Sequence, residues 1–186
     1  MEADTLLRES DDHMQKSVEA IRRELAGVRT GKATTSLLDG IRVDAYGTHV
    51  PLRQVANVAA PEPRLLTVQV FDKGMVAVVE KAIRNSELGL NPMAEGNLVR
   101  VPIPTLTEER RKDLVKVVRG MVEQGRVAVR NVRHHTQDRL KHLEKEGKVT
   151  QDNLRRDSKR LQDMTDASIK KLDELLKTKE AEIMEV

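Results

Sequence analysis

One segment, from about Thr107 to about Glu146, is predicted to form a single long amphipathic helix, and no other feature limits the possible folds so strongly. Apolar positions recur along one side of it at spacings of four and three residues. They are Leu114, Val118, Met121, Gly125, Ala128 and Val132. At roughly 1.5 Å per residue this helix is about 60 Å long. Such a helix needs partner helices to cover its apolar side, so a helical bundle is predicted.

A second side of the same helix carries mostly positive charge. Between Arg110 and Lys141 there are ten Lys or Arg residues and only three acidic residues. Five of these cations fall within a narrow sector of the helix, and we call them the basic stripe: Lys112, Arg119, Arg126, Arg130 and Arg133. A charge run is usually a solvated helix face, but such faces typically mix both signs. A row of one sign favours a polyphosphate partner such as nucleic acid.

Two further amphipathic helices complete the predicted bundle. Residues 4–29 form the first, with Asp4 as a candidate cap, and Thr150 begins the third, which runs to about Met184. Their expected core positions are Leu7, Met14, Val18, Ile21, Leu25 and Val28 in the first, and Leu154, Leu161, Ile169, Leu172, Leu176 and Ile183 in the third. Gly147 ends the long helix, and the short connection makes the second and third helices antiparallel neighbours.

The middle third changes to the alternating pattern of β-strands. Residues 41–45, 66–70 and 99–103 are predicted strands, a turn is expected at Tyr46-Gly47-Thr48, and residues 76–86 are a predicted short helix. Pro102 and Pro104 are expected to stop the last strand, and Thr105 with Glu108 matches a capping box for the long helix.

The expected fold class is therefore α+β, with two domains. A three-helix antiparallel bundle comprises residues 1–30 and 106–186, and a small β/α/β domain of residues 31–105 is inserted into it. Two chain crossings join the domains, and they are predicted to form a hinge: Thr30, Gly31, Pro102, Pro104 and Thr105.

Composition argues against several classes of function. There is no cysteine, no apolar N-terminal run and no stretch of 18 apolar residues, so a cytoplasmic protein without disulfides or membrane spans is expected. The two aromatic residues, Tyr46 and Phe71, are too few for extensive stacking on bases, so any nucleic acid would be recognised through backbone and shape.

Catalytic and metal sites are not predicted. The sequence has no Walker-type glycine loop and no nucleophile elbow, so an enzyme is not expected. His134 and Asp138 are spaced to form an ion pair on the helix surface rather than a zinc site, because no third ligand is nearby.

Two glycines lie inside the long helix, where each costs about 1 kcal/mol relative to alanine. A close helix contact explains Gly125, whereas Gly120 has no predicted role.

Four motifs make the chain resemble the bacterial ribosome recycling factor family over its whole length. They are VRTGKATTSLLDGI (28–41), YGTHVPLRQVANV (46–58), NPMAEGNLVRVPIPTLTEERRKDLVKVVRG (91–120) and RVAVRNVR (126–133). The resemblance implies an L-shaped monomer of about tRNA size that binds the 23S rRNA of the large ribosomal subunit after termination. With elongation factor G, it would split the ribosome into subunits. It implies no cofactor of its own, since GTP is used by the elongation factor, and no membrane or DNA partner.

The resemblance also implies which residues bind rRNA. By motif these are Arg111, Lys112, Arg130 and Arg133, with Arg29 and Lys32 beside the hinge, and the basic stripe adds Arg119 and Arg126. The family usually has arginine at the position of Lys32, and lysine keeps the charge but loses bidentate binding of phosphate. His134 and His135 also replace an arginine and an acid that are common in the family.

A second hypothesis comes from a different functional class. A helical scaffold or chaperone-like protein that binds acidic clients without moving would also be rich in charged amphipathic helices. Such a protein needs neither a hinge nor a one-sided row of cations, and these two features favour the translation factor.

Overall fold

The computed structural model describes residues 2–185, and the chain divides into two compact units. The helical unit comprises Met1–Arg29 and Glu108–Val186, and the β-sheet unit comprises Thr30–Thr107. The helical unit contains long helices, and the β-sheet unit contains a sheet with a short helix. The predicted α+β class is therefore confirmed. No helix among residues 2–185 has the length and apolar composition that a membrane span requires.

Three long helices build the helical unit. In chain order the helices are α1 (Glu2–Ala26), α2 (Val76–Arg84, in the β-sheet unit), α3 (Glu108–Lys145) and α4 (Gln151–Met184). Each of α1, α3 and α4 contacts the other two. Helix α3 runs antiparallel to both partners. Ser10 of α1 lies beside Thr136 and Ile21 lies beside Gly125. Asp173 of α4 likewise pairs with Arg126, and Glu180 pairs with Arg119. The predicted antiparallel bundle is therefore present.

The bundle core follows the predicted apolar positions in α1 and α4 and differs in α3. Buried as expected are Leu7, Met14, Val18, Ile21 and Leu25 of α1, and Leu161, Leu172 and Ile183 of α4. In α3, Val118 and Gly125 are buried as expected, but Val122 and Val129 are fully buried, whereas the predicted Met121 and Ala128 are only half-buried. The positions three and four residues after Val118 lie on opposite flanks of the same apolar side of the helix. The spacing alone therefore does not decide which flank the partner helices cover.

The connection between α3 and α4 has the caps that the sequence predicts. Gly147 adopts a positive φ of 73°, and the backbone N–H of Lys148 donates to the carbonyl of Leu143. This is the hydrogen-bond pattern of a glycine-terminated helix. The Thr150 hydroxyl then accepts from the backbone N–H of Asn153 and caps α4.

The other predicted helix ends were wrong by a few residues. Helix α1 begins at Glu2, so Asp4 lies inside its first turn and accepts from Arg160 of α4 instead of capping. Helix α3 begins at Glu108, so Thr107 and not Thr105 directly precedes it. Helix α1 ends at Ala26, three residues before the predicted end, and the N–H of Val28 donates to the carbonyl of Leu25 in a tighter final turn.

Removing the cap at Thr150 should destabilise the bundle. Because Thr150→Ala leaves the N–H of Asn153 without its acceptor, we expect a loss of about 1 kcal/mol in the free energy of unfolding. Thermal unfolding followed by circular dichroism measures it. Thr150→Ser keeps the hydroxyl and should stay close to wild type, and an equal loss in both variants would contradict the capping role.

The β-sheet unit has six strands rather than the three predicted. They are β1 (Arg42–Ala45), β2 (Thr48–Pro51), β3 (Ala56–Glu62), β4 (Leu65–Val70), β5 (Met93–Glu95) and β6 (Leu98–Pro102). Strands β1 and β2 form a hairpin, and the other four form an antiparallel sheet in the order β3-β4-β6-β5. The missed strands β2, β3 and β5 are mostly exposed, so they lack the alternation that marks a half-buried strand.

Two local expectations in this unit are confirmed. The predicted turn is present, since Tyr46 and Gly47 both have positive φ and form the two-residue connection of the hairpin. The last strand also ends at the first of the two prolines, since Pro102 is the final residue of β6. Pro102 lies in β6 opposite Leu65, and the N–H of Ile103 still donates to the carbonyl of Arg64.

Candidate nucleic-acid interface

The basic stripe lies beside α4, and two of its arginines bind acidic residues there. Arg119 Nε donates to Glu180 Oε1 at 2.6 Å, and Arg126 Nε donates to Asp173 Oδ1 at 2.9 Å. Both the arginines and the acids are seven residues apart, and they run in opposite directions. Seven residues are close to two helical turns, so the two ion pairs lie two turns apart along the same edge between two antiparallel helices. Part of the stripe therefore joins α3 to α4.

These contacts affect the ionisation of the groups involved. The hydrogen bond to Glu180 raises the pKa of Arg119, and the hydrogen bond to Asp173 raises that of Arg126. The pKa of Glu123 is lowered, first by its hydrogen bond from Arg126. These shifts favour the charged forms of Arg119, Arg126 and Glu123, and the acidic side chains cancel much of the positive charge of the arginines beside them.

Contacts within α3 neutralise further members of the stripe to different degrees. Lys112 Nζ lies 3.1 Å from the Glu108 carboxylate, in an exposed pair one turn apart. Glu123 accepts from Arg126 at 3.0 Å and from Arg130 at 3.3 Å. One carboxylate therefore serves two guanidinium groups, which leaves Arg130 with a long, shared contact and several free donors.

Arg133 is the least neutralised cation of the stripe. Its Nη1 donates to the neutral Oε1 of Gln162 at 3.2 Å, and Gln162 Nε2 in turn donates to Asp166 at 2.8 Å. No carboxylate of residues 2–185 lies within 4 Å of a nitrogen of Arg133. Within the basic stripe, the Arg130–Arg133 end therefore offers the most uncompensated positive charge to an anion.

The remaining predicted binding residues have different surroundings. Arg111 is half-buried on α3, and its Nε is buried without a hydrogen-bond partner among the described residues. Arg29 is exposed in the helical unit after α1, and Lys32 is exposed in the β-sheet unit. The structure thus brings together the five stripe residues on one helix, whereas Arg29 and Lys32 lie outside α3.

The histidines of α3 take part in surface pairs. His134 Nε2 lies 3.4 Å from Asp138, which confirms the predicted pair one turn apart, and His142 lies 3.1 Å from Glu146. Within the part of the chain that the structure describes, there is no group of three or more His, Asp or Glu side chains placed to hold a metal ion.

The sequence prediction missed the acidic partners of the stripe. Asp166, Asp173 and Glu180 repeat every seven residues in α4, as Arg119, Arg126 and Arg133 do in α3. The matching period was the available signal, since two antiparallel helices with the same charge repeat pair along their shared edge. What the sequence could not show is that Gln162 stands between Arg133 and Asp166.

Comparison with known proteins gives a family match over most of the chain. The family model described as "Ribosome recycling factor" matches residues 21–184. A ribosome-recycling factor of Rubrobacter xylanophilus is 49% identical over 180 residues, which cover 97% of each chain. One from a Caulobacter species is 53% identical over 175 residues, covering 94% of this chain and 93% of the relative.

Solved structures give the same result for the fold. The solution structure of a ribosome recycling factor matches with a TM-score of 0.71 and 40% identity, over 100% of this chain and 99% of the other. A second match, with a TM-score of 0.61 and 48% identity over 98% and 99% of the two chains, is a Thermus thermophilus ribosome recycling factor. It belongs to a set of models with Escherichia coli elongation factor G bound to the E. coli post-termination complex.

Proposed function

The chain belongs to the ribosome recycling factor family, and from this premise we propose that it binds the large ribosomal subunit after termination and helps to split the ribosome. Members of this family are translation factors and not enzymes. The observation that supports rRNA binding most directly is the weakly neutralised pair of Arg130 and Arg133 on α3. Arginine binds phosphate through two parallel hydrogen bonds, and this suits the RNA backbone.

The rRNA contact would depend on charge and shape more than on base identity. Helix α3 has no Phe, Tyr or Trp, the large aromatic side chains on which unpaired bases usually stack. Since Arg119 and Arg126 are held by acids of α4, they would position the helix and contribute less to phosphate binding. Each phosphate contact releases bound counterions, so binding should weaken as salt rises.

The energy for splitting would come from a partner. The sequence contains no phosphate-binding glycine loop, and GTP hydrolysis is assigned to elongation factor G. The T. thermophilus relative, 48% identical to this chain, occurs with elongation factor G in models of a post-termination complex. In the proposed mechanism the helical unit is held on rRNA by its cations while the elongation factor acts on the chain.

We also propose that the two chain connections between the units serve as a hinge. Of the five residues predicted for it, Pro102 belongs to β6, so the proposed hinge comprises Thr30, Gly31, Pro104 and Thr105. Gly31 has a φ of +79°, a conformation that favours glycine, and a methyl group there would lie 3.2 Å from Leu106 Cγ. Within the β-sheet unit, the incoming and outgoing connections thus lie side by side.

Light scattering of post-termination ribosomes tests this function. Adding the protein with elongation factor G of the same species and GTP should lower the scattered intensity, because subunits scatter less than whole ribosomes. Omitting GTP or the elongation factor should abolish the change. A protein that binds ribosomes without any fall in scattering under the complete condition would instead support the static scaffold hypothesis.

A further inference from the structure

One exposed line along α3 carries no charged residue. It consists of five positions that lie on the solvent side of the helix, opposite the core, and we call it the uncharged ridge: Val117, Gly120, Gln124, Val127 and Asn131. The spacing of three, four, three and four keeps these residues in line over four turns. In a chain with 34% charged residues, an exposed uncharged line of this length is unusual. Val117 and Val127 are 49% and 46% exposed, respectively.

The fold itself gives no reason for glycine at position 120. Its φ is not positive, and a methyl group there would meet no other part of the chain within 4 Å. Gly125, one and a half turns further on, differs completely, since a methyl group there would overlap Ile21 of α1. Glycine weakens a helix relative to alanine, so a glycine in open space suggests a constraint that lies outside the chain.

The neighbours of the ridge indicate the chemistry of that partner. The basic stripe runs along the flank of the ridge that faces α4, and Arg130 and Arg133 supply its least neutralised charge. Gln124 and Asn131 add amide groups that both donate and accept hydrogen bonds. A partner lying along the ridge would thus meet apolar and amide groups at its centre and cations at one edge.

We propose that the uncharged ridge contacts the shallow minor groove of double-helical RNA, with Gly120 at the point of closest approach. That groove is wide enough to admit a helix face, and it presents ribose carbons and 2′-hydroxyl groups. The valines suit the ribose carbons, the amides suit the 2′-hydroxyls, and the arginines reach the phosphates beside them. This proposal rests on the proposed binding of rRNA and adds which RNA surface is recognised.

Substitutions at Gly120 separate fold stability from binding. Gly120→Ala should raise the melting temperature by a few degrees, because alanine is the better helix former. Gly120→Leu should weaken binding to purified large ribosomal subunits by about tenfold, since it holds the ridge away from the RNA and loses at least one contact. Ala20→Leu adds similar bulk to the exposed side of α1 and serves as the control. Unchanged affinity in Gly120→Leu would overturn the proposal.

A crosslink identifies the class of partner. The chain has no cysteine, so Val127→Cys accepts a single benzophenone label. On bound large subunits, the label should crosslink to a paired segment of rRNA. A crosslink only to ribosomal protein, or none from bound subunits, would overturn the ridge proposal. If Arg130→Ala/Arg133→Ala weakens binding but Gly120→Leu does not, only the ridge proposal fails. If the double variant and Gly120→Leu both bind as tightly as the wild type, the proposed rRNA site on α3 fails as well.

Discussion

The double variant Arg130→Ala/Arg133→Ala is expected to bind large ribosomal subunits about a hundredfold more weakly than the wild type at moderate salt. Hydrogen bonds to charged groups contribute about 1.5–3 kcal/mol each, and two such contacts at the lower end of this range account for a change of this size. The loss should fall mainly on binding, since both side chains have only weak contacts in the folded protein. Equilibrium binding to purified subunits measures it.

The salt dependence of the same measurement tests the physical cause. Each lost phosphate contact should make the slope of log K against log salt shallower by about 0.7–0.9, so the slope of the double variant should be shallower by roughly 1.4–1.8. Lys170→Ala/Lys171→Ala removes the same charge from exposed positions of α4 and serves as the matched control. Equal losses in both double variants would show that only net charge matters, and would contradict a specific role for this end of the stripe.

The second prediction concerns Gly125, where three helices meet. A methyl group at this position would lie 2.7 Å from Ile21 Cγ1 of α1 and 3.2 Å from Leu172 Cδ2 of α4. Gly125→Val should therefore lower the free energy of unfolding by about 1–3 kcal/mol, despite the better helix propensity of valine, because the core has no room for it. Thermal unfolding followed by the helical circular dichroism signal reports this loss.

A double-mutant cycle shows whether the overlap with Ile21 is the cause. Ile21→Ala alone should destabilise the bundle by leaving a cavity, but in the Gly125→Val background it should cost less, because the new side chain uses that space. We expect a coupling energy of about 1 kcal/mol or more. Additive effects would mean that the destabilisation has another source. Gly120→Ala, five residues earlier in the same helix, should change stability in the opposite direction.

Much of the helical unit could be predicted because its signals are local. The apolar period of α1 and α4 marks buried residues such as Met14 and Leu172, and Gly147 and Thr150 end one helix and begin the next as expected. These features depend on the backbone geometry of a few neighbouring residues. Strands β2, β3 and β5 lacked such a signal, since they are stabilised by pairing with other strands and are mostly exposed.

The candidate site could be predicted only in part. The sequence alone marks the row of cations on α3, and it also supplies the resemblance that names the family. It does not reveal how much of the positive charge is cancelled. Arg126 meets Asp173 across 47 positions of chain, and Arg133 meets a neutral glutamine instead of the next acid.

By itself, the sequence determined which segments are helical, which sides of these helices are apolar and where the cations lie. It could do so because the helix period and the helix caps depend only on residues close together in the chain. Only the tertiary structure decided which arginines are neutralised and which side chains of α1 and α4 lie beside Gly125. Both depend on the register between helices far apart in the chain, and that register is set by the whole packed core. A shift of α4 by seven residues, or two turns, would place Asp173 beside Arg119 and Asp166 beside Arg126 without altering any local pattern.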